Sequence, residues 1–555
     1  MALGLVNRPA LPVEREKTPK RPRIQVRALV GGEDAPSTEW GSLLEDLTRT
    51  GKTAAQDDEA LWQVHDKTHL EFSIDYAFGS EPREYSWEAY FFVPESLRLR
   101  QTTYDKKQIY DDLLSYVRLA VPEMRFDDIA NACEKTGVEG LVSRLRKTLL
   151  DARGKADGSP ESRAALRRAR VLACMVRASG LDAQREMLAA IEATEDPEAA
   201  TRHAHRFSNV ASRIVRAFRE VVEEAGTMDV PEEIRVALAW VDEDMSLFIE
   251  ALYATASVRV NQKADGRDDW ETVAARLASE AVAEARYRKE REYPSVGAED
   301  ATEREVEHIE FRRHVLKRFT SSVLWLRHEV RDAGQWVLHA LYALAAAVAM
   351  AFAVWVTLRA TELQGKVSLY FALLVASYAA KDRMKAMLQT YFSRLADKRF
   401  ADRKWTIRDE ERDETVGLVA ERAGFEDFKR CPPEVLAARR MTREHALEES
   451  ARPETVLWHE KNVTVEPRKA GTLPSPMMTE IFRLNIGQWL AHTDDPNRTI
   501  TFADPDNAVV CTVNARRVYN INVVYRLKGG DEAAPWRRIR VVVSRKGIER
   551  IDTIA

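Results

Sequence analysis

The sequence predicts an α+β membrane protein: a mainly helical cytoplasmic region, a β hairpin near the N-terminus, a two-helix transmembrane hairpin and a C-terminal antiparallel β domain. Three observations predict it. The 23 residues from Trp336 to Leu358 carry no formal charge. Aromatic-rich segments near both ends of the chain alternate with period two, and from about Lys107 to Val330 the apolar spacing is helical.

The uncharged run is about 35 Å long as a helix, enough to cross a hydrocarbon layer of roughly 30 Å. Trp336 and Trp355 lie near its ends, where indole rings favour the membrane interface, and Arg359 follows. A second run, Val367 to Ala380, has 14 uncharged residues and reaches spanning length only if Lys366 or Lys381 snorkels. Ala343, Ala347 and Ala351, and also Ala345, Ala349 and Ala353, with Ser368, Ala372, Ala376 and Ala380 on the second run, give both runs small residues every four positions, which lets two helices approach closely in lipid. Basic residues before the first run (Lys317, Arg318, Arg327, Arg331) and after the second (Lys381, Arg383, Lys385, Arg394) place both termini in the cytoplasm, in a multi-pass protein of the cytoplasmic (inner) membrane. The excess of arginine over lysine is the composition of a GC-rich bacterial genome.

From the N-terminus, residues 1–22 read as a disordered basic tail and 23–100 as a β-containing segment. Ile24 to Val30 alternates as a short strand. Leu70, Phe72, Ile74, Tyr76 and Phe78 fill one strand face, and Tyr85, Trp87, Ala89, Phe91 and Val93 fill another, joined as a hairpin through a loop holding Gly79 and Pro82. Residues 101–299 form the helical cytoplasmic region, with helices at 107–120, 137–153, 160–178, 182–194, 197–226, 231–257 and 268–290 and a break at Gly180. A juxtamembrane helix, 300–335, leads into the transmembrane hairpin, 336–384. Its stripe Leu316, Phe319, Val323, Leu326, Val330 matches Met384, Leu388, Tyr391, Leu395 beyond the membrane and predicts an antiparallel coiled-coil stalk. Residues 385–453 read as a helical cytoplasmic segment and 454–555 as an antiparallel β meander in which Tyr519 to Leu527 alternates.

The net charge of -4, from 84 basic and 88 acidic residues, gives no electrostatic footprint for nucleic acid. Cys133, Cys174, Cys431 and Cys511 form no CxxC pair, as expected in a reducing compartment, and the first residues lack the apolar core of a signal peptide. Gly51-Lys52-Thr53 resembles the end of a phosphate loop, but Asp46 holds the position that needs glycine. His65 and His69 have the spacing of a helical metal pair without the glutamate or a third ligand. His203 and His205 point apart on a helix, His308 and His314 sit on a charged face, and His339 is a titratable group inside the apolar run. Asp242, Glu243 and Asp244 lack the glycine and the final glutamate of a calcium loop.

No catalytic residue, metal ligand or cofactor site follows from these patterns. The expected function is a membrane-anchored, cytoplasmic-facing interaction, scaffold or signal-sensing protein, not an enzyme. Its partners are the lipid bilayer and a protein partner or a second copy, with no nucleic acid. One alternative is an oligomeric two-span channel or pore-forming effector. Another is a membrane-bound enzyme with a pocket in the β domain, for which His459, beside Trp458, and His492, before Asp494 and Asp495, are the first candidates.

Overall fold

A computed structural model describes residues 62–137, 140–264, 267–297, 300–331, 335–360, 367–399, 401–410, 413–440, 454–467, 477–505, 509–529 and 534–554. The basic tail, the strand expected at Ile24 to Val30 and the Gly51-Lys52-Thr53 stretch lie outside them. Strands β1 (Trp62–Val64), β2 (His69–Ala77) and β3 (Arg83–Pro94) precede helix α1 (Lys106–Asp112) and β4 (Leu113–Leu119). The helices α2 (Phe126–Glu134), α3 (Leu141–Asp151), α4 (Pro160–Ala193), α5 (Pro197–Thr227), α6 (Glu232–Ala264), α7 (Asp268–Glu290) and α8 (Glu303–Ser321) follow. Next come β5 (Trp325–Arg331), α9 (Gln335–Ala360), α10 (Val367–Arg399), β6 (Arg403–Asp409), β7 (Glu414–Glu426) and α11 (Pro433–Arg439). The chain ends with β8 (Glu454–Val465), β9 (Met477–Asn485), α12 (Gly487–Leu490), β10 (Asn497–Asp504), β11 (Val509–Arg516), β12 (Tyr519–Gly529), β13 (Arg537–Ser544) and β14 (Gly547–Ile554).

Two compact units result. Among the described residues, 123–323 form a helical unit, and 62–122 with 324–554 form a β unit whose chain the helices interrupt. In the helical unit the ends are set locally. Ser159 and Asp196 accept backbone N–H groups of α4 and α5, each with proline at the first helical position, and Thr302 and Glu305 cap α8 reciprocally. The expected break at Gly180 is corrected: α4 runs through it. A Cβ there would lie 3.1 Å from the Phe248 ring and 3.3 Å from Leu252, so the glycine serves close packing against α6.

Twelve strands of the β unit form one antiparallel sheet in the order β1-β2-β9-β4-β5-β6-β7-β8-β3-β12-β13-β14. Its two ends approach each other, since the Ile548 N–H of β14 donates to the Lys67 carbonyl beyond β1 at 2.7 Å. The sheet is therefore a nearly closed barrel, and its interior is filled rather than hollow. Phe72 on β2 and Trp87 on β3, from opposite walls, meet with ring centroids 4.2 Å apart, and Trp62 and Tyr525 complete the cluster.

The expected fold class is thus overturned in its parts. β2 and β3 are strands but not a hairpin: Phe72 opposes Phe482 of β9, while Phe91 opposes Leu457 of β8 and Val523 of β12. The five-residue connection has no two-residue turn to set a hairpin register, and two aromatic faces find more partners across a barrel than on each other. The helix expected at 107–120 ends at Asp112, where the chain turns into β4. The juxtamembrane helix ends at Ser321, and Trp325–Arg331 is a strand between β4 and β6, so no helical stalk continues from it. Val330 and Leu395 of the proposed stalk have side chains outside the described set. The segment 385–453 is helical only to Arg399 and at α11, with β6 and β7 between. In the C-terminal region only β12, β13 and β14 run as a meander, while β8 and β9 are separated in the sheet and β10 with β11 stands apart as a two-stranded sheet.

The transmembrane hairpin is corrected as well. Among the described residues one helix, over His339–Ala360, is long and apolar enough to cross a membrane. α10 is a single 33-residue helix whose uncharged start gives way to Lys381, Asp382, Arg383 and Lys385 after Ala380, too short an apolar stretch for a second span.

Candidate functional site: an exposed apolar helix pair and a buried ion network

α9 and α10 occupy the connection between two neighbouring strands, since Arg331 at the end of β5 opposes Lys404 near the start of β6. The 26 residues of α9 rise about 39 Å. The two helices pack on each other, and Ala345, Ala349 and Ser377 are buried in the pair while large apolar side chains face outward. Leu358 is 64% exposed, Phe371 67% and Met387 73%, and Leu344, Val348, Met350, Val354, Trp355 and Val375 are also exposed. The small residues expected at the contact are corrected in part: Ala345 and Ala349 are inside, whereas Ala343, Ala347, Ala351, Ser368, Ala372, Ala376 and Ala380 are exposed together with the large apolar side chains, the reverse of a helix pair packed for water. Contiguous exposed apolar surface of this kind marks a contact with lipid or another macromolecule. His339 is exposed on α9.

A second feature lies inside the barrel. Glu421 of β7 opposes Lys461 of β8 in register, with Nζ 3.0 Å from the carboxylate. From the facing wall Glu480 of β9 also binds the Lys461 ammonium and accepts from the Ser115 hydroxyl and from the Tyr76 hydroxyl at 2.8 Å. The Trp405 ring lies 4.5 Å from Nζ. Burial raises the Glu421 carboxyl, but Lys461 outweighs it and holds the group below its usual range. Burial likewise lowers Lys461, but Glu480 and Glu421 outweigh it and hold the ammonium up. His459, two residues before Lys461 on the same strand face, lies against Phe482, the rings tilted with centroids 5.3 Å apart. Burial pushes its imidazole down to about 4 against the pull of Glu421, and neither ring nitrogen has a hydrogen-bond partner among the described residues. The ring is therefore neutral near pH 7. With aromatic side chains filling the adjoining interior, one ammonium shared by two carboxylates links the two walls.

In the helical unit the consecutive acids Asp242, Glu243 and Asp244 are all buried on α6, because helices surround it on every side. Consecutive positions diverge by about 100°, and each acid meets its own cation. Asp242 has Arg219 at 3.5 Å and accepts from Tyr287 and Tyr293, Glu243 binds Arg312 at 2.8 Å, and Asp244 binds Arg177 at 2.6 Å. Burial raises the Asp242 carboxyl despite Arg219.

The remaining sequence candidates scatter. His65 and His69 flank the β1–β2 turn, not a helix. Their rings are 6.4 Å apart and edge-on, and His69 binds Asp66 at 2.8 Å while His65 lies 3.5 Å from Glu71. Burial raises Asp66, but the Thr68 amide and the ring and amide of His69 outweigh it, and the carboxyl sits at about 2. No group of three side chains suited to a metal occurs among the described residues. His203, His205, His308 and His314 are exposed on helices, and exposed His492 is on α12's far side in sequence from the buried His459. Sequence reasoning missed Glu421, Lys461 and Glu480. A signal existed: Leu457, His459, Lys461 and Val463 share one strand phase, which puts the charges on the apolar face.

Comparison with protein-family models, with curated proteins and with solved structures finds no match to this chain.

Proposed function

We propose that the protein is a membrane-anchored scaffold or signal-sensing protein of the cytoplasmic membrane, held to the bilayer by α9. The observation that supports it is the outward-facing apolar surface of α9, with Leu344, Val348, Met350, Val354, Trp355 and Leu358 exposed. α10 packs along this helix and carries Lys381, Arg383 and Lys385, cations of the kind that anionic headgroups attract. Because β5 and β6 pair directly, the helix pair leaves the barrel as one projection from neighbouring strand ends, and its basic residues favour the cytoplasmic side. The buried ion networks serve to fix the two folded units, which then present surfaces to a protein partner. The test is flotation of the purified chain with liposomes after alkaline carbonate washing. Wild type floats, and Val348→Glu/Leu358→Glu stays in the dense fraction. Wild-type protein left at the bottom of the gradient sinks the reading.

A further inference from the structure

β10 and β11 pair over eight residues each, outside the twelve-stranded sheet, and nearly every side chain of the ribbon is exposed. The pairing sorts them into two faces. Thr499 bonds Asn514 at 2.9 Å and Thr501 contacts Thr512 at 3.3 Å on a mainly polar face, which carries Ala503 and the exposed Val510 at one end. The opposite face carries Ile500 beside Val513 and Phe502 beside Cys511, with Val509 at the end. Ile500 is 41% and Phe502 49% exposed. A lone two-stranded ribbon is at best marginally stable in water, and an apolar face on both of its strands needs a cover.

The charges at its ends indicate what covers it. Arg498 and Asp504 share the apolar face on β10, at opposite ends of the stripe and equidistant from Thr501. They lie about 20 Å apart along the strand. A closed pair of identical ribbons stacked face to face has two simple two-fold arrangements. With the axis along the strands, β10 stacks on β11 of the second copy and Arg498 meets no acid from β11. With the axis across the strands at the level of Thr501 and Thr512, β10 stacks on β10 in the opposite direction. Arg498 then faces Asp504 of the second copy twice, Ile500 faces Phe502, and Cys511 faces Val513.

We propose that the β10–β11 ribbon is a self-association surface, covered by the same face of a second copy in this second arrangement. The ribbon then becomes a four-stranded, two-layer sandwich with a salt bridge at each end. This goes beyond the membrane reading and does not depend on it, because the helix pair contributes nothing to the contact.

Sedimentation equilibrium of the full chain in mild detergent tests it. Wild type is expected to dimerise, with or without reductant, since Cys511 has no cysteine opposite it. Arg498→Asp and Asp504→Arg should each weaken the dimer about tenfold, and the double reversal should restore it to within about threefold, since each cross-contact occurs twice. Phe502→Lys should abolish the dimer, while Thr499→Lys on the polar face should keep it. Circular dichroism of each variant should match wild type, because none of these residues is in the barrel core. A monomeric wild type, single reversals without effect, or a double reversal as weak as the singles overturns the proposal. A monomeric wild type whose flotation is lost in Phe502→Lys gives this face to lipid instead, and also overturns it.

Discussion

Lys461 binds Glu421 on the neighbouring strand and Glu480 on the facing wall, so one ammonium ties together two carboxylates that the barrel interior would otherwise hold apart. All three side chains are buried. Removing the lysine strands two carboxylates in an apolar interior. Lys461→Met is expected to lower the stability of the β unit by about 3–5 kcal/mol in a urea titration followed by tryptophan fluorescence. Adding Glu421→Gln and Glu480→Gln should recover much of that loss, because neutral amides need no cation. Equal losses in the single and triple variants would mean that Lys461 acts through packing alone.

His459 makes the barrel sensitive to acid. Its imidazole takes up a proton at about 4 in the fold against 6.5 in a model peptide, so the unfolded chain holds more protons between those values. The stability it contributes is complete above the higher value and is lost as the pH falls towards the lower one, by about 3 kcal/mol in full. His459→Leu keeps the volume and removes this slope. Urea midpoints measured from pH 7 to pH 4.5 should fall less steeply in the variant than in wild type, and parallel curves would refute the assignment.

Two helical glycines should respond in opposite directions. Gly180→Val drives a branched side chain into Phe248 and Leu252 and should destabilise the helical unit by about 1–3 kcal/mol. Among the described residues, Gly226, near the end of α5, has nothing within 4 Å of a Cβ. Gly226→Ala should leave stability unchanged or raise it by up to about 1 kcal/mol. Thermal melts followed at 222 nm distinguish the two, and a stabilising Gly180→Val would refute the packing argument.

Excising the helix pair should separate anchoring from folding. Because Arg331 opposes Lys404, an Asn-Gly turn can replace residues 332–403 and join β5 to β6 directly. The shortened chain should stay in the supernatant after ultracentrifugation and keep the near-UV signal of the Trp62, Phe72, Trp87 and Tyr525 cluster. Loss of that signal would show that α9 and α10 support the barrel.

Leu70, Phe72, Ile74 and Tyr76 announced a strand because alternation is local, and α3, α5, α6 and α7 were readable from their apolar spacing for the same reason, whereas the short α2 was not anticipated and α4 was split at Gly180. The partner of β2 was not readable. Tyr76 meets Glu480 across 404 residues, and no local signal carries a register over that distance. Trp325–Arg331 fits a helical stripe at Val323, Leu326 and Val330 but also alternates, and the open edges of β4 and β6 decide for the strand. Lys461 was passed over because charges are assigned outward by default, although its strand phase pointed inward. The apolar run of α9 was legible in composition alone, whereas the shortfall of α10 turned on where Lys381 to Lys385 fall in one continuous helix.

The insertion of the helices between β4 and β5 sets a timetable for biosynthesis. At about 5–20 residues per second, β2 leaves the ribosome roughly 20–80 s before β9, the strand that must lie beside it. During that interval Phe72, Tyr76, Trp87 and Phe91 are made but lack the strands that pair beside them, while residues 123–323 form a compact unit of their own that is complete earlier. The nascent chain thus carries aromatic strands that wait, and a chaperone that shields them until β8 and β9 emerge would govern the yield of native protein more than any step within the helical unit.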